Sequence, residues 1–291
     1  MVAKVPARNE QQELVEVDEE LMQQLMSEAG EGINEAELGD FLVPLVYVLQ
    51  PQSPQVLPGP AQLDDAKAGD IWLKNSSDPI IGGKEGMWFQ PCWYYRKWNE
   101  WVPRDQGGGF RGTYDWHGDN NPPQGAMRIE VEGKRGLPRY RFENGNQCID
   151  TRYIVGLAWR NGMPTAHVIP FSSTGHTVAR NWLTAIQNKR SPNGRPYPSY
   201  SFLYKLSTIA KTNNLGTWYM FEFGDPVNFA PLKGAGPYRE GLKVVGGDYR
   251  MALDMGRQLK DSFKTGEKRA AEEEMVDAGE EKVDMKDDIP Y

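Results

Sequence analysis

The centre of the chain consists of segments of strand length that are separated by loops rich in glycine and proline. Apolar and polar residues alternate in several of these segments, as they do in a β-strand with one buried face. One stretch, 175–189, differs, because Val178, Trp182 and Ile186 fall at helical spacing after three hydroxyl residues that suit a helix N-terminus. We predict an antiparallel barrel or sandwich with peripheral helices, and periodicity alone does not distinguish the two.

The predicted strands lie at 41–49, 69–74, 87–101, 127–132, 139–142, 148–160, 165–171, 199–210 and 216–223. The polar, Gly- and Pro-rich segment 103–126 is predicted to be a long loop. Met251, Met255, Leu259 and Phe263 recur every four residues and predict a last helix from about residue 247.

Charge is divided unevenly along the chain. Residues 1–50 carry a net charge of −9 and residues 267–291 a net charge of −6, whereas residues 51–266 carry +8 and all nine tryptophans. A basic, aromatic body between two acidic arms is typical of a protein that binds a polyanion and whose ends compete for the same surface. We predict four parts: an acidic arm with an amphipathic helix at 1–38, a β-rich DNA-binding body at 39–246, a helix at 247–266 and an acidic, disordered tail at 267–291.

Several classes of protein are disfavoured by the sequence. No apolar run approaches the ~20 residues of a membrane span, and no signal peptide is present, so a cytoplasmic location and no membrane partner are expected. Cys92 and Cys148 are then expected to be reduced. His117, His167 and His176 have no partner at metal-ligand spacing, and the common catalytic motifs are missing. We therefore expect no cofactor, no bound metal and no enzymatic activity.

Cations and aromatic rings recur along the predicted strands, and a single-strand binder needs both. In 148–160, Arg152 and Arg160 flank small residues on the face opposite Tyr153, which leaves room for a base. In 87–101, simple alternation groups Phe89 with Trp93 and Tyr95 on one face, and Trp88, Tyr94, Arg96 and Trp98 on the other. Both faces thus carry rings, and a β-bulge at Pro91 would shift the register, so the choice of face stays open.

For each arginine, a solvated sheet face is the alternative interpretation. The cluster Arg96-Lys97-Trp98 is the preferred stacking site. The candidate nucleic-acid-binding residues are Trp88, Tyr94, Arg96, Lys97, Trp98, Trp101, Arg128, Arg139, Arg141, Arg152, Arg160 and Lys205.

The last eight residues, Asp284-Met285-Lys286-Asp287-Asp288-Ile289-Pro290-Tyr291, form an acidic run that ends on an aliphatic residue, a proline and a ring. This segment resembles the C-terminal peptide of bacterial and phage single-stranded-DNA-binding proteins, which ends in aspartates followed by Ile-Pro-Phe. The resemblance implies an oligonucleotide/oligosaccharide-binding (OB) barrel and recruitment of replication and repair proteins. The partner-binding residues would be Asp284, Asp287, Asp288, Ile289, Pro290 and Tyr291. Tyr291 departs from the usual Phe, and the chain has no Gly/Gln-rich linker before this segment.

A second resemblance supports a phage origin. Gly39–Leu45 with Gln50 and Ser53–Val56, and later Ser172–Thr174 with Arg180–Trp182, are similar to pieces of certain phage replication-region proteins. The sequence thus predicts a non-enzymatic single-stranded-DNA-binding protein of replication and recombination that can form a homo-oligomer.

Two alternatives remain open. The first is an adaptor protein that does not bind DNA and whose tail mimics the host peptide. The second is a nuclease in which Asp115, Asp119 and Glu130 converge.

Overall fold

The structure is a computed structural model that describes Ser27 and residues 43–266, apart from 75, 77, 104–105, 130–138, 215 and 234–237. Its strands are β1 (Val46–Val48), β2 (Ile71–Leu73), β3 (Ile80–Ile81), β4 (Met87–Trp101), β5 (Phe110–Asp115), β6 (Ala126–Ile129), β7 (Arg139–Phe142), β8 (Gln147–Arg160), β9 (Met163–Ser172), β10 (Phe202–Asn213), β11 (Gly216–Phe223) and β12 (Val227–Asn228). The helices given for the described residues from 43 onward are α1 (Gly175–Gln187), α2 (Arg239–Val244) and α3 (Tyr249–Thr265), and a 3₁₀ turn lies at Ser199–Ser201. No helix of these described segments is both long and apolar enough to cross a membrane.

The main sheet is antiparallel and curls into a half-barrel around its longest strands, β4 and β8. Along one edge, β4 pairs with β10 in its first half and with β5 in its second half. Along its other edge β4 pairs with β8, which in turn pairs with β9 and β7. A small sheet of β1, β2 and β3 joins the free edge of β9 through a parallel bridge from Leu45 to Val168.

The order of five strands and one helix is that of an OB barrel. In chain order these elements are β4, β8, β9, α1, β10 and β11, and β4 pairs with both β8 and β10. The helix therefore falls between the third and fourth strands of a five-stranded, partly open barrel. This arrangement confirms the expected mainly β, OB-like fold, and the extra strands β5, β6 and β7 extend the connection between the first two strands of the barrel.

The two faces of the sheet are each covered by a helix, and we name them after it. The inner face carries α1, whose Trp182 is fully buried against the rings of Phe89, Phe171 and Tyr204 at centroid distances of 5.6–6.3 Å. The outer face carries α3, which packs on β4 and β8 through Ala252, Leu259 and neighbouring apolar residues. Because both faces are buried in the middle of the sheet, β4 and β8 are apolar on both sides.

A β-bulge in β4 decides which of its residues share a face. The pairing with β8 shifts between Pro91 and Trp93, so Cys92 is an extra residue. Beyond the bulge the alternation reverses, and Tyr94, Arg96 and Trp98 lie on the inner face with Phe89. Trp88, Trp93 and Tyr95 pack on the outer face. The grouping predicted by unbroken alternation is therefore wrong on both faces, and the reason is the inserted residue.

Most predicted elements coincide with the observed ones, but the short elements β3, β12 and α2 were not predicted, and neither was a strand inside the segment 103–126. This segment was predicted to be a loop, but Phe110–Asp115 form β5 and pair with the end of β4. The helix predicted within the N-terminal arm, apart from Ser27, and the tail 267–291 lie outside the described residues.

Candidate nucleic-acid interface

In OB barrels the ligand lies over the second and third strands, between the loop joining strands one and two and the loop joining strands four and five. In this chain those strands are β8 and β9. The first connection carries β5, β6 and β7, and the second is the tight β10–β11 turn, where Asn213 pairs with Gly216. The fold thus indicates where an interface would lie before any side chain is considered.

Helix α3 covers the middle of the outer face. Phe263, in its last turns, stacks on Tyr95 at 6.1 Å, and Tyr95 stacks on Tyr153 at 4.8 Å and 7°. Beyond this point the same face of β4 continues through Lys97, Asn99 and Trp101. The part of the outer face that α3 does not cover is therefore the end formed by the last residues of β4 and the first residues of β8.

A cleft opens at this end of the face. It lies between the edges of β9 and β11, with β1 along one side and the N-terminus of α1 at its end, and it encloses about 80 Å³. Its walls include Tyr47, Asn99, Trp101, Thr174 and Tyr219. Tyr47, Trp101 and Tyr219 are half-buried and Thr174 is exposed, so the cleft is open to solvent.

The side of the cleft formed by the β5–β7 extension is cationic. Trp101 pairs with Gln147, Gln147 pairs with Arg141, and Arg141 pairs with Met127, so these residues follow one another across four strands. Arg139 and Arg141 are exposed on the same side of β7, and Met127 is 57% exposed. Two arginines and two apolar side chains thus lie next to the cleft on an open surface.

The opposite side, formed by β10 and β11, repeats this combination of cations and rings. Lys211 is exposed and pairs with Trp218 in the hairpin. Further along the outer face of β10, the Lys205 ammonium lies 5.5 Å from the ring centroid of Trp88, within the range of a cation–π interaction. Lys211 and Trp218 therefore lie on the hairpin that carries the cleft residue Tyr219, whereas Lys205 and Trp88 lie at the other end of β4, next to the β8–β9 turn.

The structure brings only some of the predicted residues to this surface. Trp101, Arg139 and Arg141 lie at the cleft and its cationic side, whereas Trp88 and Lys205 lie at the start of β4, away from the cleft. Arg128 pairs with Tyr140, so it projects from the other face of the β6–β7 ribbon than Arg139 and Arg141. The three arginines of this ribbon therefore do not share one face.

Several other predicted residues already have partners within the protein. Lys97 donates to Asp115 at 2.9 Å, and Arg160 donates to Asp78 at 2.6 Å. Trp98, the preferred stacking ring, is 3% exposed and packs on Trp116 and Tyr140 at 4.8 and 5.3 Å. The expectation of an exposed ring at position 98 is wrong, because the bulge turns this side chain into a core cluster.

Arg152 and the small residues of β8 are also buried. Arg152 is 7% exposed, and Ala158 is fully buried on the inner face. A Cβ added to Gly156 would lie 2.3 Å from the carbonyl oxygen of Gln90 and 2.4 Å from the Phe89 ring. The small side chains therefore allow close packing of two strands, and the groove predicted between Arg152 and Arg160 is wrong.

The inner face instead contains a buried polar cluster. Arg96 donates to both carboxylate oxygens of Asp150 and, at 2.8 Å, to Asp119, while its guanidinium lies 3.4 Å above the Trp116 ring. Nε2 of His176 lies 2.9 Å from the carbonyl oxygen of Asp150. Burial lowers the pKa of His176 despite the opposing influence of Asp150, so this imidazole is neutral at pH 7. The cluster stabilises the start of α1 and offers no open cationic surface.

Two carboxylates of the nuclease alternative are engaged in ion pairs. Asp115 pairs with Lys97 and Asp119 with Arg96, whereas Glu130 lies outside the described residues. Within the described segments, no group of three or more His, Cys, Asp or Glu side chains is placed to hold a metal ion. Cys92 and Cys148 are free and buried, and burial raises the pKa of Cys148 to about 12.

Sequence reasoning missed several residues of this surface: Tyr47, Gln50, Asn99, Lys211, Trp218 and Tyr219. Lys211 and Trp218 flank a short turn rich in Asn and Gly, a hairpin signal that would have paired them. Tyr47 and Tyr219 come to the cleft only through the tertiary fold, in which Gln50 donates to the Tyr219 carbonyl and accepts from its N–H, both at 2.9 Å. No local sequence pattern predicts this contact between Gln50 and Tyr219.

Comparison with known proteins gives one family. A family model described as "Pam3 phage gp34-like protein" matches residues 10–245. The chain belongs to this family. The family takes its description from a phage protein, which agrees with the phage origin expected from the sequence. Neither the curated proteins nor the solved structures include a match to the chain.

Proposed function

We propose that this phage gp34-like protein is a non-enzymatic single-stranded-DNA-binding protein of replication and recombination. The supporting observation is the position of the cleft in an OB strand order, with the exposed Arg139 and Arg141 on one side and the Lys211–Trp218 pair of the β10–β11 hairpin on the other. Single-strand binders hold the backbone through cations and stack bases on rings, without reading a specific sequence. The net charge of +8 on residues 51–266 provides the long-range attraction that such binding needs.

The proposed path of the DNA follows from these positions. It starts on the β5–β7 extension at Arg139 and Arg141, passes Trp101 and the cleft, and ends on the β10–β11 hairpin at Trp218 and Lys211. The covered middle of the outer face is not part of the path, because α3 packs there through buried Ala252 and Leu259.

The second part of the proposal concerns the segment 284–291, which lies outside the described residues. On its resemblance to the peptide of single-stranded-DNA-binding proteins, we propose that Ile289, Pro290 and Tyr291 dock into an apolar pocket of replication or repair proteins. Proline limits the conformational entropy that is lost on docking. The acidic residues of the tail compete with DNA for the cationic surface when no DNA is bound.

Anisotropy titration of a labelled oligo-dT across a range of salt concentrations tests the binding proposal. The double variant Arg139→Glu/Arg141→Glu should bind more weakly and flatten the slope of log K against log salt by about 1.4, since each lost phosphate contact accounts for about 0.7. The matched control is Arg195→Glu/Lys243→Glu. Arg195 follows the C-terminal end of α1, whose N-terminus lies at the cleft. Lys243 lies in α2, next to Gly246, which packs on the β8–β9 turn at Gly162. Arg195 and Lys243 are therefore both far from the cleft.

Three results would refute this assignment. Equal losses in both double variants would move the interface elsewhere. No binding of oligo-dT at low salt, combined with partner capture through 284–291, would favour the adaptor alternative. Cleavage of the oligonucleotide on addition of Mg²⁺ would favour the nuclease.

A further inference from the structure

We propose that the cleft holds one nucleotide of the bound strand, with its base between the rings of the cleft walls and its phosphate at the N-terminus of α1. The identity of the polymer rests on the proposed function. The chemistry of the cleft rests on its own residues, and the two are separated by experiment below.

Asn99 is the first indication of a missing ligand. Its side chain lines the cleft although the residue is only 2% exposed. Its amide Nδ2 donates to the Tyr153 hydroxyl at 2.6 Å, and among the described residues its Oδ1 has no hydrogen-bond partner. Buried polar atoms nearly always have partners, so an orphaned acceptor at the wall of an open cleft indicates a donor that enters from outside.

Three rings also line the cleft, and each is held in place by a neighbour. Trp101 meets Phe110 edge-on at 5.2 Å, and Tyr47 stacks on Trp72 at 5.9 Å. The Tyr219 ring lies against Gly69, where a Cβ would approach to 2.6 Å. Rings that are fixed in advance lose little conformational entropy when a flat ligand stacks on them.

The far end of the cleft attracts an anion. Helix α1 begins at Gly175, which lines the cleft; its first turn contains no acidic residue, and the Asp150 carboxylate beside His176 is paired with Arg96. Over the 13 residues of α1 the peptide dipoles give this end a partial positive charge. The hydroxyl residues Ser172 and Thr174 lie at the same end of the cleft and can donate to phosphate oxygens.

A nucleotide combines the three features that this cleft accommodates: a flat ring, an N–H that can reach an amide oxygen, and a neighbouring phosphate. Every nucleobase carries at least one N–H on its pairing edge, so Asn99 accepts a hydrogen bond from any of the four. The cleft encloses about 80 Å³, which is room for more than one water molecule, and its rim is open to solvent. The cleft therefore anchors one nucleotide without selecting its base strongly.

Fluorine NMR of the full chain labelled with 5-fluorotryptophan tests this inference. The nine tryptophans report separately, and Trp101→Phe identifies the Trp101 signal. Titration with dAMP should shift that signal saturably in the millimolar range, whereas deoxyribose 5-phosphate, which lacks a base, should leave it unchanged. Asn99→Leu should weaken the dAMP affinity about fivefold to tenfold, the effect of one lost neutral hydrogen bond.

A second variant keeps the test decisive if Asn99→Leu misfolds. Ile149→Phe adds volume at the half-exposed wall of the cleft and should abolish the dAMP shift, whereas Leu242→Phe on α2 should preserve it. A Trp101 signal that dAMP does not move, or moves equally in Ile149→Phe, would overturn the inference. If oligo-dT still binds in that case, the proposed function stands without the cleft. If dAMP binds at Trp101 but no oligonucleotide binds, the cleft is a free-nucleotide site and the proposed function fails.

Discussion

The tail should compete with DNA for the proposed interface, and deleting it should tighten DNA binding at low salt. The structure shows where the tail is attached. Helix α3 runs along β4 from Gln90, which donates to the Ala252 carbonyl, to Tyr95, on which Phe263 stacks. It ends at Thr265 with Gly266 as its C-cap, beyond Tyr95 in the direction of the end of the sheet that carries the cleft.

The expected gain follows from distances along β4. Tyr95 and Trp101 are six residues apart, or ~20 Å at about 3.3 Å per strand residue. The composition of the tail predicts an unstructured segment, and ~20 such residues span an r.m.s. distance of ~25 Å. The acidic residues can therefore reach the cleft at an effective concentration on the order of 1 mM. If the tail binds the cationic surface with a Kd of about 1 mM, it should weaken DNA binding about twofold. With a Kd of about 0.1 mM it should weaken DNA binding about tenfold.

The assay is anisotropy titration of oligo-dT with the full chain and two truncations. Removing 267–291 (net charge −6) should tighten binding twofold to tenfold at low salt, and removing 284–291 (net charge −2) should have a smaller effect. Both gains should shrink as salt shortens the Debye length from ~30 Å at 0.01 M to ~10 Å at 0.1 M. Glu→Gln changes at 272–274 control for tail length. A truncation that weakens DNA binding would refute the competition and place the tail within the binding site.

Three further predictions test the corrected assignments. Gly156→Ala should destabilise the fold by about 1–3 kcal/mol or more, because its Cβ meets a backbone oxygen at 2.3 Å, whereas Gly59→Ala, with nothing within 4 Å, should be neutral in thermal denaturation. Trp98→Ala should lower stability by about 3–5 kcal/mol in urea unfolding, since this ring is part of a core cluster; a stable variant with weaker DNA binding would show instead that the ring stacks on bases. Burial alone would raise the pKa of Glu100, but hydrogen bonds from Tyr114, Asn146 and Asn144 outweigh it and lower the pKa. The stability of the fold should therefore decrease as the pH drops through the folded-state pKa of Glu100. Glu100→Gln should make this decrease smaller.

Much of the fold could be predicted because its signals are local. Alternation, Gly and Pro positions and one helical stripe determined the strand limits of 139–142 and placed α1 between two groups of strands. The missed strand Phe110–Asp115 has a different cause. Its residues alternate poorly and lie in a polar region, and they form a strand because the end of β4 extends past β10 and offers them an edge.

The candidate site was less accessible to prediction because one residue changes the faces of β4. Cys92 adds a position to the strand, and after it Trp98 is directed into the core while Asn99 and Trp101 reach the cleft. No property of Cys92 itself predicts this insertion. The neighbouring Pro91 indicates only that the strand is irregular near this position. The error at Trp98 and the omission of Asn99 therefore have the same physical cause.

Burial also explains why cations were misassigned. Arg96 and Arg152 occur in strands with the same alternation as Arg139 and Arg141, yet the Arg96 side chain is 16% exposed and Arg152 is 7% exposed, whereas Arg139 and Arg141 are exposed on the β5–β7 extension. Whether an arginine meets a carboxylate or solvent depends on which strands lie at an edge, and this is a property of the topology.

On the proposed path, DNA is confined to the uncovered end of the OB face because α3 occupies the centre. Because the same helix leads into the acidic tail, one element would both limit the proposed binding surface and supply its proposed competitor.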